Sequence, residues 1–281
     1  MPTIDIGFSP CPNDTFIFDA LVNHKIDTKG YDFQLHLEDV QTLNEWALQG
    51  KLPYSKISYG VWPKLKYQYQ LLESGGALGK GVGPLLIYKE DPLNLSGKPN
   101  ATTMRVAIPG MDTTAHLLFS LAFPDVKNKV FLVFNEIEEA VLSGKVDAGV
   151  IIHENRFTYA AKGLHKVIDL GSFWEQKTGS AIPLGGIVMS RKYDKQTLDK
   201  VNRIMASSVE FAMKNPLSSA AFVKQHAQEM EESVVVKHIQ LYVNKYSLNL
   251  GVEGRKAVST LLDSAVAQGL ILPFTYPIFI D

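Results

Sequence analysis

Of the side chains able to move a proton near neutral pH, His153 has the most suggestive setting. It follows the apolar run Ala148-Gly149-Val150-Ile151-Ile152 and precedes Glu154-Asn155-Arg156-Phe157-Thr158-Tyr159. Imidazole titrates close to neutrality, so one delivered to a ligand can serve as a general base. A satisfied structural histidine fits the same pattern, and spacing does not choose between them. The other six, His24, His36, His116, His165, His226 and His238, have no comparable context. Lys56 and Ser58 stand two apart; on a strand they share a face and could clamp a carboxylate or hydroxyl. A solvated lysine beside a helix-capping serine accounts for them equally well. Thr113 and Thr114 could cap a helix, bind a ligand, or do both.

Other chemistries find less support. The single cysteine, Cys11, excludes an internal disulfide and a multi-cysteine metal site; with prolines on either side and no obvious base nearby, it is a poor nucleophile candidate. Neither HExxH nor Cys/His ligand spacing occurs, so no metal is expected. The segment Gly75–Gly83 is glycine-dense but matches neither GxGxxG after a strand nor GxxxxGK[ST], since Lys80 is not followed by Ser or Thr. It reads as flexible backbone near a cleft or hinge. Lys plus Arg number 28 against 29 Asp plus Glu, which leaves no global field to recruit nucleic acid or an anionic membrane. Trp46, Trp62 and Trp174 therefore read as core residues rather than base-stacking platforms. No segment approaches the ~20 apolar residues of a membrane span, and no secretory signal precedes Ile4. The expectation is a cytoplasmic protein with a small-molecule partner; oligomeric state is left open, a homodimer being one option.

The elements that must position these residues alternate. Ile4–Phe8 reads as a strand, and Ser9-Pro10-Cys11-Pro12-Asn13-Asp14 as a stiff loop whose Asn-Asp pair caps a helix from about Thr15. Tyr31–Leu37 alternates as a strand; Val40, Leu43, Trp46 and Ala47 recur at helical spacing up to Gly50. Ser55–Tyr59 and Pro84–Lys89 are further strands. Asp91–Thr103, rich in Pro, Asn and Gly, reads as a crossover between lobes. Strand Arg105–Ile108 and helix Thr114–Ala122 open a second lobe. The alternation continues through Lys129–Phe134, Glu136–Leu142, the strand before His153 and Lys166–Leu170. Leu184–Ser190 returns to the first lobe, and helical patterns over Asp194–Asn215, Ser218–His226, Val234–Tyr242 and Glu253–Gln268 form a tail packed on it. Each lobe opens alike: a strand and prolines lead to Asn13-Asp14-Thr15 in one and Asp112-Thr113-Thr114 in the other. If the lobes face each other, both helix amino termini point into one cleft, where free N–H groups favour oxygen-rich or anionic ligands.

Several stretches carry a family resemblance. Phe8-Ser9-Pro10-Cys11-Pro12-Asn13-Asp14-Thr15-Phe16, Lys56-Ile57-Ser58-Tyr59, Ser74-Gly75-Gly76-Ala77-Leu78-Gly79 with Gly81-Val82-Gly83-Pro84-Leu85, Thr113-Thr114-Ala115 and Ile151–Tyr159 resemble the 1,4-dihydroxy-6-naphthoate synthase family, and Val243-Asn244 with Tyr246-Ser247 extend the likeness into the tail. The resemblance implies an α/β, two-lobed periplasmic-binding-protein-like (type II) fold, each lobe a mixed sheet flanked by helices, with the ligand cleft between lobes. The expected division is 1–97 plus 182–281 for the larger lobe and 98–181 for the smaller. It further implies a cytoplasmic, cofactor-independent carbon-carbon lyase of menaquinone biosynthesis by the futalosine route, which converts cyclic dehypoxanthine futalosine to 1,4-dihydroxy-6-naphthoate. By the resemblance His153 is the proton acceptor, and Lys56, Ser58, Thr114 and Ala115 are substrate contacts. Their motif neighbours Ile57, Thr113, Ser9, Asn13 and Asp14 complete the expected binding set. The rival reading is a solute-binding protein with the same fold and no chemistry, which fold alone cannot separate from an enzyme.

Overall fold

Runs of three to nine residues, many of them β-branched or aromatic, become eleven strands in the computed structural model, which describes residues 2–90, 103–227 and 231–280. They are β1 Thr3–Phe8, β2 Asp32–Leu37, β3 Tyr54–Ser58, β4 Tyr69–Leu71, β5 Ala77–Gly79, β6 Leu85–Tyr88, β7 Val106–Ile108, β8 Lys129–Phe131, β9 Ala148–Ile151, β10 His165–Asp169 and β11 Ile182–Ser190. The first sheet has the order β2-β1-β3-β11-β4, with β5 also paired to β11. Its β1 runs parallel to β2 and β3, and β11 returns antiparallel onto β3. The second sheet, β10-β6-β9-β7-β8, sets β7 parallel to β8 and β9 while β6 is antiparallel to β9 and β10. These are the two mixed, helix-flanked sheets that the sequence led us to expect.

Packing explains the strand that ends at His153. All four residues of β9 are buried because both faces are covered. A Cβ on Gly149 would lie 2.5 Å from Ile137 Cγ2, so glycine lets the Ile137–Leu142 helix sit directly on the sheet. The first sheet buries Ile4, Ile6 and Phe8 against Leu198, Val201, Met205 and Val209 of the Lys195–Lys214 helix, and Phe8 stacks on Phe18 at 4.2 Å. Trp62 and Trp174 are fully buried in a cluster reaching across both sheets, whereas Trp46 is only half-buried with Lys51 Nζ over its ring. One helix of the tail, Gly251–Ala267, packs both on β11 and on the Thr114–Ala122 helix. Among the described residues no helix is long and apolar enough to cross a membrane.

Two local expectations need correction. The first helix spans Pro12–Val22 and starts ahead of Thr15, with Cys11 at the N-cap. Proline is tolerated at the first helical position, where its missing N–H has no intrahelical partner to lose. Asn13 and Asp14 thus lie inside the first turn and do not cap it; their side chains line the cleft instead. The chain also crosses between sheets earlier than Asp91–Thr103, since β6 already belongs to the second sheet and the crossing falls within residues 80–84. Residues 91–102 of that stretch lie outside the described residues. For the lobes themselves, 98–181 and 182–281 with 1–97 remain our proposed division, with β6 as the strand lent by the larger lobe to the smaller sheet.

Candidate functional site

Lys56, Ile57 and Ser58 sit at the carboxyl end of β3, beside the loop that follows β1, and His153 sits two residues beyond β9. The sheets face each other across one cleft, part of it open to solvent. Ser9, Asn13, Asp14, Lys56, Ile57, Ser58, Thr113, Thr114, Ala115 and His153 all line it. The ten expected site positions are therefore one surface, although lining a cleft does not by itself assign a role.

The solvated-lysine reading of Lys56 does not hold. Its Nζ is buried, donating to Asp14 Oδ1 at 2.9 Å and to the Gly75 carbonyl at 3.0 Å. Asp14 also accepts from Asn13 Nδ2 at 2.9 Å and from Ser9 Oγ at 2.7 Å. This carboxylate is thus the centre of a polar floor. Ser58 caps no helix; its hydroxyl accepts from Asn44 Nδ2 at 3.1 Å.

The threonines carry the seam between lobes. Thr113 caps the Thr114–Ala122 helix, its Oγ1 accepting from His116 N at 3.2 Å and donating to the Gly110 carbonyl at 2.9 Å. Thr114 Oγ1 accepts from Gly60 N at 3.1 Å and donates to the Leu184 carbonyl at 2.6 Å. Gly60 permits this approach, because a Cβ there would meet the Thr113 carbonyl oxygen at 2.9 Å. The hydroxyls are occupied, so at this end of the cleft the unspent donors are backbone N–H groups of the helix's first turn, as at Ala115.

His153 is half-buried and left-handed, with φ of 57°. A non-glycine residue held there stores strain, a feature that clusters at functional sites. Its Nδ1 lies 3.3 Å from Cys11 Sγ, its ring meets Phe134 edge-on at 4.9 Å, and the His238 ring lies nearly parallel at 6.4 Å. Burial pushes its pKa below the ordinary value of 6.5, outweighing the opposite pull of Glu154, Asp14 and Asp39, while Lys56 adds to the lowering. A neutral imidazole at the cleft wall is the form that accepts a proton. The polar residues that follow it are anchors: Asn155 donates to Glu138 Oε2 at 2.8 Å, and Arg156 bonds the Gly83 carbonyl and Asp169.

Sequence reasoning missed His238 and Tyr242, which also line the cleft. They share one face of the Glu232–Tyr242 helix with buried Val234, at spacings of four. A polar residue interrupting that apolar stripe was the available signal. His238 Nε2 contacts Asn13 Oδ1 at 2.9 Å, and burial with the nearby His153 pushes its pKa down to about 3. It too is neutral. Cys11, Asn44 and the Leu184-Gly185 backbone were likewise not foreseen as cleft neighbours.

As for metals, Cys11, His153 and Glu154 offer ligand atoms within 4.8 Å of one another. A metal would need the thiolate. Burial, chiefly, holds the thiol well above its ordinary pKa, and Nδ1 already faces Sγ, so the group reads as a hydrogen-bonded contact between neutral partners. The glycine-dense segment forms no phosphate cradle either. Gly75 turns with φ of 84° to present its carbonyl to Lys56, and a Cβ on Gly83 would lie 2.2 Å from Gly171 N. Those glycines serve close backbone approach.

Residues 4–267 match the family described as "Menaquinone biosynthesis". The chain belongs to this family. It is 41% identical over 280 residues, all of both chains, to a Thermus thermophilus protein named 1,4-dihydroxy-6-naphtoate synthase. A Streptomyces coelicolor protein of the same name is 41% identical over 274 residues, covering 96% of this chain and 95% of that one. Among solved structures, an Archaeoglobus fulgidus protein superimposes with a TM-score of 0.88 at 31% identity, covering 96% of this chain and 98% of the other. An alkanesulfonate-binding protein from Xanthomonas axonopodis bound to MOPS gives 0.71 at 14% identity over 99% and 96% of the two chains. The latter shows that the fold is periplasmic-binding-protein-like and shows nothing about ligand.

Proposed function

We propose that this family member is a cytoplasmic 1,4-dihydroxy-6-naphthoate synthase that acts on cyclic dehypoxanthine futalosine, with His153 as its general base. The enzyme class rests on the two full-length relatives of that name. The observation that carries the mechanism is the placement of His153: a neutral imidazole, strained into φ of 57°, lining the same cleft as Lys56, Ser58 and Ala115.

The chemistry follows from that arrangement. His153 removes a proton from the substrate; the electrons left behind expel the sugar-derived fragment as a carbon-carbon bond breaks, and the ring system becomes aromatic. The step is redox-neutral, so it asks for orientation, one proton acceptor and exclusion of water. Oxygen-bearing parts of the substrate meet the first-turn N–H groups near Ala115 and the floor built from Lys56, Asp14, Asn13, Ser9 and Ser58. Ile57, Thr113 and Thr114 complete the wall, the threonines by holding the lobes at contact distance. Lobe closure excludes water.

The expected outcome for His153→Ala is a folded protein that binds cyclic dehypoxanthine futalosine and forms naphthoate at least ~10²-fold more slowly. Single-turnover absorbance read beside a binding titration checks this. Near-normal turnover rejects the base. Binding without product by the wild-type chain rejects the enzyme in favour of a receptor, the role that the fold serves in the alkanesulfonate-binding relative.

A further inference from the structure

A base that takes up a proton becomes a cation, and a buried cation needs a negative charge close by that nothing else has claimed. Three carboxylates act on His153: Glu154, Asp14 and Asp39. Two of them are already occupied. Asp14 accepts from Lys56, Asn13 and Ser9. Asp39 caps the Val40–Leu48 helix, accepting from the Gln41 and Thr42 amides and from the Thr42 hydroxyl.

Glu154 is different. It is 7% exposed, and among the described residues its buried Oε2 has no hydrogen-bond partner. Lys56, Arg156 and Lys162 are committed elsewhere, to Asp14, Asp169 and Glu138. The neighbour in ion-pair range is His238, whose Nδ1 lies 3.9 Å from Oε2, beyond hydrogen-bond reach.

Nor does His238 turn a proton towards it. Asp14 is ion-paired and only accepts, so the Asn13 group 2.9 Å from it is the NH2, and the amide oxygen faces His238. His238 Nε2 therefore supplies the hydrogen of its 2.9 Å contact with that oxygen. A neutral ring has no second proton, so Nδ1 presents a lone pair to Glu154 and is itself unpartnered. Two buried acceptors thus face each other, an arrangement that costs stability and calls for a reason. The reason lies on the other side of the carboxylate. Consecutive residues of a strand take opposite faces. The left-handed turn at His153 breaks that alternation, and a His153 ring nitrogen, a Glu154 carboxylate oxygen and Cys11 Sγ lie within 4.8 Å of one another.

We infer that Glu154 is a positioning residue, an unspent carboxylate held beside His153 to balance the imidazolium that proton abstraction creates. This deepens the proposed base role and rests on it. The proton stays on His153, and Glu154 supplies charge alone. The Cys11 thiol, the Tyr242 phenol and His238 surround the pair without adding charge, since burial holds each in its neutral form. Lys56, the remaining charged group acting on His153, is paired with Asp14.

Glu154→Gln keeps the shape and removes the charge. Nitrogen-15 NMR of histidine-labelled protein follows the titration of His153, with His153→Ala identifying its resonances. The midpoint is expected to fall by about one pH unit or more, the effect of losing an opposite charge at this range. The acid limb of kcat/KM moves down with it, and kcat on the plateau falls about tenfold, within the 10²–10⁴ that a positioned base supplies, with KM little changed. Urea unfolding at pH 7 is expected to show Glu154→Gln at least as stable as the wild type, because a buried charge without a partner is gone. A carboxylate kept for structure predicts the reverse. Glu154→Asp, which retains the charge and draws it back, returns part of the midpoint shift. An unchanged His153 midpoint in Glu154→Gln overturns the inference, as does a variant that is much less stable or does not fold. A His238 ring that is charged at pH 7 overturns it too, since Glu154 would then already have its cation. The titration does not depend on turnover. A productive His153→Ala enzyme would therefore reject the base assignment separately.

Discussion

Lys56→Met tests whether the cleft floor is held by a buried ion pair. Lys56 and Asp14 are 5% and 2% exposed, with Nζ 2.9 Å from Oδ1. Methionine keeps most of the side-chain volume, so the loss is charge rather than packing. Stranding one member of a buried pair costs 3–5 kcal/mol. Asp14 keeps Ser9 Oγ at 2.7 Å and Asn13 Nδ2 at 2.9 Å, which places the loss near the lower bound. The Gly75 carbonyl also loses its lysine donor, worth roughly 1 kcal/mol. The sum is a destabilisation of about 3–4 kcal/mol, read by urea unfolding at pH 7 with unchanged m-value. Lys56→Met with Asp14→Asn removes the uncompensated charge, and most of the loss should return. A single-variant cost under ~1 kcal/mol, the size of an exposed pair, refutes the reasoning. So does a double variant no more stable than the single one.

Two further outcomes follow from the histidines. The acid limb of the pH profile of kcat/KM should have its midpoint below 6.5, because burial of His153 outweighs Glu154, Asp14 and Asp39 while Lys56, His238 and the Cys11 thiol offer it no negative charge; a midpoint above 6.5 contradicts this. His238 binds its proton in the unfolded chain at an ordinary pKa but in the folded chain only at about 3, so its contribution is intact above pH 6.5 and is lost as pH falls from there towards 3. Between pH 6.5 and 5 that is about 2 kcal/mol. His238→Gln, which keeps a donor for Asn13, should flatten this part of the stability curve by chemical denaturation, and an unchanged curve is the contrary result.

The sequence was most readable where one physical pressure acted alone. β9 and the Thr114–Ala122 helix came out of apolar periodicity and a threonine cap because no distant contact competes with either signal. Lys56 was left between two readings because strand spacing reports which face a side chain takes and is silent on what waits there. Its partner Asp14 is 42 residues away. The Pro12 helix start failed for a different reason: proline was treated as a breaker when its position at the first turn made it a starter. His238 lies 85 residues after His153, and only folding lays their rings 6.4 Å apart.

The shared fold sharpens the question of what turns a ligand cleft into a reactive one. A binding site needs complementary groups, and the helix amino termini at Asp14 and Ala115 supply those with no strain at all. His153 departs from that economy twice. It occupies φ of 57°, which costs an L-residue roughly 1–2 kcal/mol, and it is placed where burial disfavours its charged form. Neither feature improves affinity for a static ligand. Both are what a base requires: a fixed direction and an unprotonated lone pair. The anchors on either side make the strain sustainable, since β9 is buried along its length and Asn155 and Arg156 tie the following turn to Glu138, Gly83 and Asp169. The apolar run before His153 and the polar run after it therefore do one job, which is to hold an unfavourable residue still.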